Sequence, residues 1–119
     1  MDHVCVVFPI LPGKTEEARV FMREVDGPRM GEYDRSERAL GITKELWFLA
    51  SLPSGDALVG YIEAADFGAA VGQFGASREP FDQWFKERVL TVTGVDFSNI
   101  PPDFRPPELL SHYQAGVTR

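Results

Sequence analysis

The sequence predicts an α+β fold, a ferredoxin-like sandwich in which helices cover one face of an antiparallel sheet. Three observations predict it. The elements run in the order β-α-β-β-α, with a closing strand left open. The chain of 119 residues is of a size that forms one domain around one core. The third observation is the hairpin "LWFLASLPSGDALVGYIEAAD" (46–66), which is apolar on both faces and needs cover from both sides.

"HVCVVFPI" (3–10) is rich in β-branched residues and reads as a buried strand. "LPG" breaks it, and Thr15 is placed to cap a helix beginning "EEARVFMREV". Ala18, Phe21, Met22 and Val25 share one face of that helix, and Glu16 and Glu17 sit in the favourable first turn. "DGP" (26–28) interrupts. A second helical stretch, 29–40, brings Met30, Tyr33, Glu37 and Leu40 to helical spacing, allows an Asp34–Arg38 pair, and ends at Gly41.

After the hairpin, Asp66 reads as the cap of "FGAAVGQFGAS". Gly68, Gly72 and Gly75 weaken this helix intrinsically but leave a small-residue stripe for close backbone approach. Ser77 then caps a longer helix in which Phe81, Trp84, Phe85, Arg88, Val89 and Val92 recur at helical intervals; its aromatic stripe reads as core. The helix extends to Thr93 with Gly94 as terminator. "VLTVTGVDF" is also β-branched enough for a strand, so residues 89–97 and 108–114 stand as alternatives for a fourth strand. Residues 1–100 thus form the domain. Residues 101–119, with four of the nine prolines between 101 and 107, form an extended arm that can add an edge strand.

Loop length fixes which hairpin residues share a face. A three-residue loop pairs Leu52 with Asp56 and puts Gly55 in a left-handed bulge position. Leu46, Phe48, Ala50, Leu52, Leu58, Gly60 and Ile62 then form a wholly apolar face for the helices. Trp47, Leu49, Ser51, Ala57, Val59, Tyr61 and Glu63 form a mixed face. Trp47, Leu49, Val59 and Tyr61 are too large and apolar to leave in water, so a second copy is expected to cover them, making a homodimer.

A net charge of -6 argues against nucleic acid or an anionic membrane as partner. The single cysteine, Cys5, allows no internal disulfide and suits a reducing compartment. The longest apolar run, Val4 to Leu11, contains Pro9 and is too short for a membrane span, so a cytoplasmic location is expected. "PGKT" (12–15) lies where a phosphate loop would, but Phe8 stands where a Walker motif needs glycine, and Pro9 and Pro12 remove amide donors. His3 and Cys5 share a strand face without further ligands at suitable spacing, so no metal and no cofactor are expected.

The run "ALGITKELWFLASLPSGDALVGYIEAAD", with "EPFDQWFKERV" and "TGVDFSNIPP", resembles an uncharacterised bacterial family of small dimeric α/β-barrel proteins. These are relatives of the antibiotic biosynthesis monooxygenase superfamily. The resemblance covers residues 4–102. It implies two back-to-back sheets forming a dimeric α/β barrel with an internal cavity. It carries over no catalytic motif, because the superfamily includes cofactor-free monooxygenases, polyketide cyclases, haem-degrading enzymes and members without known activity.

In a ferredoxin-like sheet the first and third strands are neighbours, which brings His3 towards Tyr61 and Glu63. An imidazole, a phenol and a carboxylate beside an apolar cavity can move protons on an enolisable or phenolic molecule. His112 substitutes for His3 if the final strand forms. Cys5, Trp47, Leu49, Ser51 and Val59 are the expected ligand-lining residues, with Trp47 able to stack on an aromatic ring. Two functions follow. The first is a homodimer that binds a small aromatic or polyketide-like molecule without catalysis. The alternative is a cofactor-independent monooxygenase or cyclase acting on such a molecule.

Overall fold

A computed structural model describes residues 1–116; the last three residues of the expected arm lie outside the described residues. The order is β1 (Asp2–Pro9), α1 (Thr15–Val25), α2 (Met30–Leu40), β2 (Ile42–Leu52), β3 (Gly55–Ala64), α3 (Phe67–Ala76) and α4 (Pro80–Thr93). The three strands form one antiparallel sheet in the order β1-β3-β2. Val6, Phe8, Leu58, Ile62 and Ala64 are buried on one face of the sheet. Ala18, Phe21 and Val25 of α1 and Phe81, Phe85, Val89 and Val92 of α4 are buried with them. The fold is therefore α+β, with four helices on a three-stranded sheet.

Local sequence explains most boundaries. Gly41 and Gly94 end α2 and α4 in the left-handed conformation, at φ 74° and 79°. The Asp66 side chain accepts from the Ala69 amide at 3.0 Å and caps α3, which forms despite its glycines. One of those glycines is required: a Cβ on Gly75 would lie 2.6 Å from the Phe97 carbonyl oxygen. Thr15 does not cap α1; its hydroxyl donates instead to Asp56 at 2.7 Å, tying the helix to the hairpin. Residues 80–93 are helix and residues 108–114 carry no regular structure, so neither candidate supplies a fourth strand. Among the described residues, no strand pairs with the outer edge of β1, where a ferredoxin-like sheet places that strand.

The hairpin corrects the predicted register. Leu52 pairs with Gly55 and Trp47 with Gly60, so the loop has two residues, Pro53 and Ser54. The phase of β2 is inverted relative to the three-residue reading, while β1 and β3 keep theirs. Trp47 and Leu49 therefore lie under the helices, whereas Leu46, Phe48 and Leu52 lie on the open face. The physical reason is the fit between Trp47 and Gly60: a Cβ at Gly60 would meet the indole at 2.8 Å. A bulge between Ile42 and Lys44 then returns Ile42 to the helix side, against Ala64.

Candidate functional site

The two faces of the sheet each hold a cluster of polar side chains. On the helix side, Tyr33 and Glu37 stand one turn apart on α2, and Glu45 and Trp47 share one face of β2. The Tyr33 hydroxyl donates to Glu45 Oε2 at 2.6 Å, and Trp47 Nε1 donates to the same oxygen at 2.9 Å. Burial, then the charge and hydrogen bond of Glu45, then Asp82, push the Glu37 carboxyl up to about 10. Glu37 is thus neutral at pH 7, and Glu45 is the neighbour whose charge it feels. Glu37 Oε2 is buried without a hydrogen-bond partner among the described residues. Burial and the same carboxylates hold the Tyr33 phenol far above its ordinary range, so it stays a donor. Asp82, buried nearby, accepts from Ser36 and from Ser77, the latter at 2.6 Å.

Tyr33, Glu45 and Trp47 form a wall between two hollows. Outside it lies a cleft of about 520 Å³ between α1 and β2, lined by Ala18, Met22, Leu49 and Leu58, with Arg19 and Arg23 also on its lining. Leu46 and Phe48, half exposed at 46% and 55%, border it from the open face. Inside the wall is a cavity of about 60 Å³ that Glu37 shares with Phe74, Phe81, Phe85 and Phe97. A shallower hollow of about 380 Å³ reaches Tyr33, Glu37 and Glu45 from the side of Arg38 and Lys44. A molecule the size of a few fused rings fits the cleft. The inner cavity has room for a hydroxyl group or water.

On the open face the register sets His3 opposite Glu63 and Cys5 opposite Tyr61. The Tyr61 hydroxyl donates to Glu63 Oε2 at 2.8 Å and lies 2.9 Å from His3 Nδ1. A hydroxyl has one proton, so His3 Nδ1 carries the hydrogen and donates to Tyr61. That hydrogen bond to Glu63 raises the Tyr61 phenol above its ordinary value. Lys44 Nζ lies 3.9 Å from Glu63, and the His112 ring sits 5.4 Å from that of His3. His3, Tyr61, Glu63 and His112 are thus brought together, yet none of them lines the three hollows just described.

Of the expected ligand-lining residues, Cys5 and Val59 lie on this open face. Trp47 and Leu49 line the cleft on the opposite side, and Ser51 pairs with Asp56 on an exposed stretch near the turn. Sequence reasoning missed Glu37 and Glu45. The signal was present: Glu37 falls on the apolar stripe of α2 with Met30, Tyr33 and Leu40, and a carboxylate on such a stripe needs a buried partner. Among the described residues, no group of three or more His, Cys, Asp and Glu side chains is placed to hold a metal ion. No helix among them is long and apolar enough to cross a membrane.

No family model and no curated protein matches the chain. Among solved structures it is similar to tetracenomycin F2 cyclase from Streptomyces glaucescens, a type-II polyketide cyclase. The TM-score is 0.56 at 19% identity, covering 97% of this chain and 99% of that one. The likeness is one of fold. It agrees with the α+β class that the sequence predicts.

Proposed function

We propose that this protein is a homodimer that binds a small, flat, largely apolar carbonyl compound or phenol in the cleft between α1 and β2 and moves a proton on it. The observation that carries this reading is the wall of the cleft, where Glu45 is held by Tyr33 and Trp47 and backed by a neutral Glu37. Burial and the neighbouring Glu45 keep the Glu37 carboxyl protonated, so the wall presents the Glu45 side chain, positioned by two donors, with a neutral carboxyl behind it. Glu45 is the group in reach of a bound molecule. It takes a proton from a carbon next to a carbonyl, the pair becomes neutral, and the proton returns to carbon or oxygen afterwards. Ring closure by a cyclase requires that kind of step, and the fold shared with a polyketide cyclase supports it.

The dimer rests on the open face. Val7, Leu46, Phe48 and Leu52 expose 43 to 55% of their surface there, a contiguous apolar patch of the kind that a second copy covers. The arrangement is a pair of sheets back to back, with each cleft opening near the interface.

The test is hydrogen–deuterium exchange at the α-carbon of 1-tetralone in heavy water, followed by proton NMR. The parent protein should saturate with the ketone and accelerate exchange, and Glu45→Gln should reduce that acceleration about 100-fold or more while still binding. Saturable binding without exchange would leave the non-catalytic reading, which the sequence puts first. Failure to bind this ketone or its naphthol analogue would count against the cleft.

A further inference from the structure

The described residues of the arm (101–119) line neither the cleft nor the inner cavity. The His112 ring of the arm lies against that of His3, which brings the arm to the rim of the open face. Phe104 near the start of the arm is half-buried, but further along Leu109, Leu110 and Tyr113 turn away and are 61%, 84% and 81% exposed. The backbone from Glu108 to Ser111 makes no hydrogen bond with other described residues. Two leucines and a tyrosine held in water within five residues form an apolar cluster that is costly unless something meets it.

The size of the open face says what meets them. Its strands have 8, 11 and 10 residues. At roughly 3.3 Å per residue and 4.8 Å between strands, such a face measures on the order of 30 by 14 Å. Two copies stacked on it bury on the order of 900 Å², below the roughly 1,200–2,000 Å² of stable protein interfaces. Two arms, each with three exposed large side chains, supply an area of the missing order.

We propose that in the homodimer each arm crosses to the partner subunit, with Leu110 and Tyr113 as its anchors at the rim of the partner's sheet. This rests on the dimer reading above, and the measurements separate the two. Sedimentation of the full chain should show a dimer at micromolar concentration. Leu110→Asp with Tyr113→Asp should raise the dimer dissociation constant at least tenfold, and replacing Tyr113 by a benzophenone amino acid should give a covalent dimer on irradiation. The changed residues are exposed in the single chain, so the fold should survive, as circular dichroism would verify. A full chain that dimerises with the same affinity, within threefold, as the double variant would overturn the arm proposal alone. A monomeric full chain would overturn the dimer and the arm together.

Discussion

Each face of the sheet carries a tyrosine donating to a glutamate, at 2.6 Å from Tyr33 to Glu45 and at 2.8 Å from Tyr61 to Glu63. The chemistry is the same and the surroundings are not. Beneath the helices, burial is the largest cause of the Tyr33 shift and the adjoining Glu37 stays protonated at neutral pH. On the open face, the hydrogen bond to Glu63 is the largest cause of the Tyr61 shift, and Lys44 lies close enough to share the carboxylate. Desolvation, not the choice of residue, separates a proton-holding site from a surface cluster in this protein.

The sharpest way to break the comparison is to change two adjacent residues that face opposite ways. Trp47 packs against all three groups of the core and fills the space left by Gly60. Trp47→Ala should cost about 3 kcal/mol or more, read as a lowered urea midpoint. Phe48→Asp should leave the fold intact, since that side chain is more than half exposed in the chain, and should convert the proposed dimer to a monomer in sedimentation. The opposite result, with Trp47 tolerant and Phe48 destabilising, would restore the three-residue loop and its register.

That register was the part of the fold the sequence hid. Most element boundaries were legible because each rests on local chemistry: Asp66 at a cap, Gly41 and Gly94 in left-handed turns, Pro80 in a first turn. The phase of β2 is not local. Leu46, Trp47, Phe48 and Leu49 are all apolar, so alternation carries no information, and the choice is made across the sheet by the vacancy at Gly60. His3, Tyr61 and Glu63 were legible as neighbours because a ferredoxin-like sheet sets β1 antiparallel beside β3, which brings the start of one to the end of the other. Glu37 and Glu45 come together from a helix and a strand, which no spacing in the sequence announces.

A smaller effect sharpens the same contrast through pH. The Glu37 carboxyl is raised from an ordinary value of 4.5 to about 10. Between those values the native chain keeps a proton that the unfolded chain has released. This stabilisation is complete below about pH 4.5, declines as pH rises, and is gone above about pH 10. One such proton gives a slope of up to about 1.4 kcal/mol per pH unit. Glu37→Gln, which can still donate to Glu45, should flatten the fall in urea midpoint between pH 6 and 9. An unchanged slope would mean that the proton is not held at Glu37.

The smallest expected effects come from removing one hydroxyl on each face. Tyr33→Phe takes one of two donors from a part-buried carboxylate oxygen, leaving Trp47 as its remaining donor, at a cost of about 1 kcal/mol. It should also slow exchange of the tetralone α-protons, because Glu45 loses the group that fixes its orientation at the wall of the cleft. Tyr61→Phe removes the link between His3 and Glu63, but water reaches both groups and Lys44 remains near the carboxylate. It should leave the urea midpoint and the exchange rate where they were. If exchange instead fails in Tyr61→Phe and persists in Tyr33→Phe, the chemistry belongs to the open face. His3, Tyr61 and Glu63 would then be the working group, and the carboxyl pair beneath the helices a structural one.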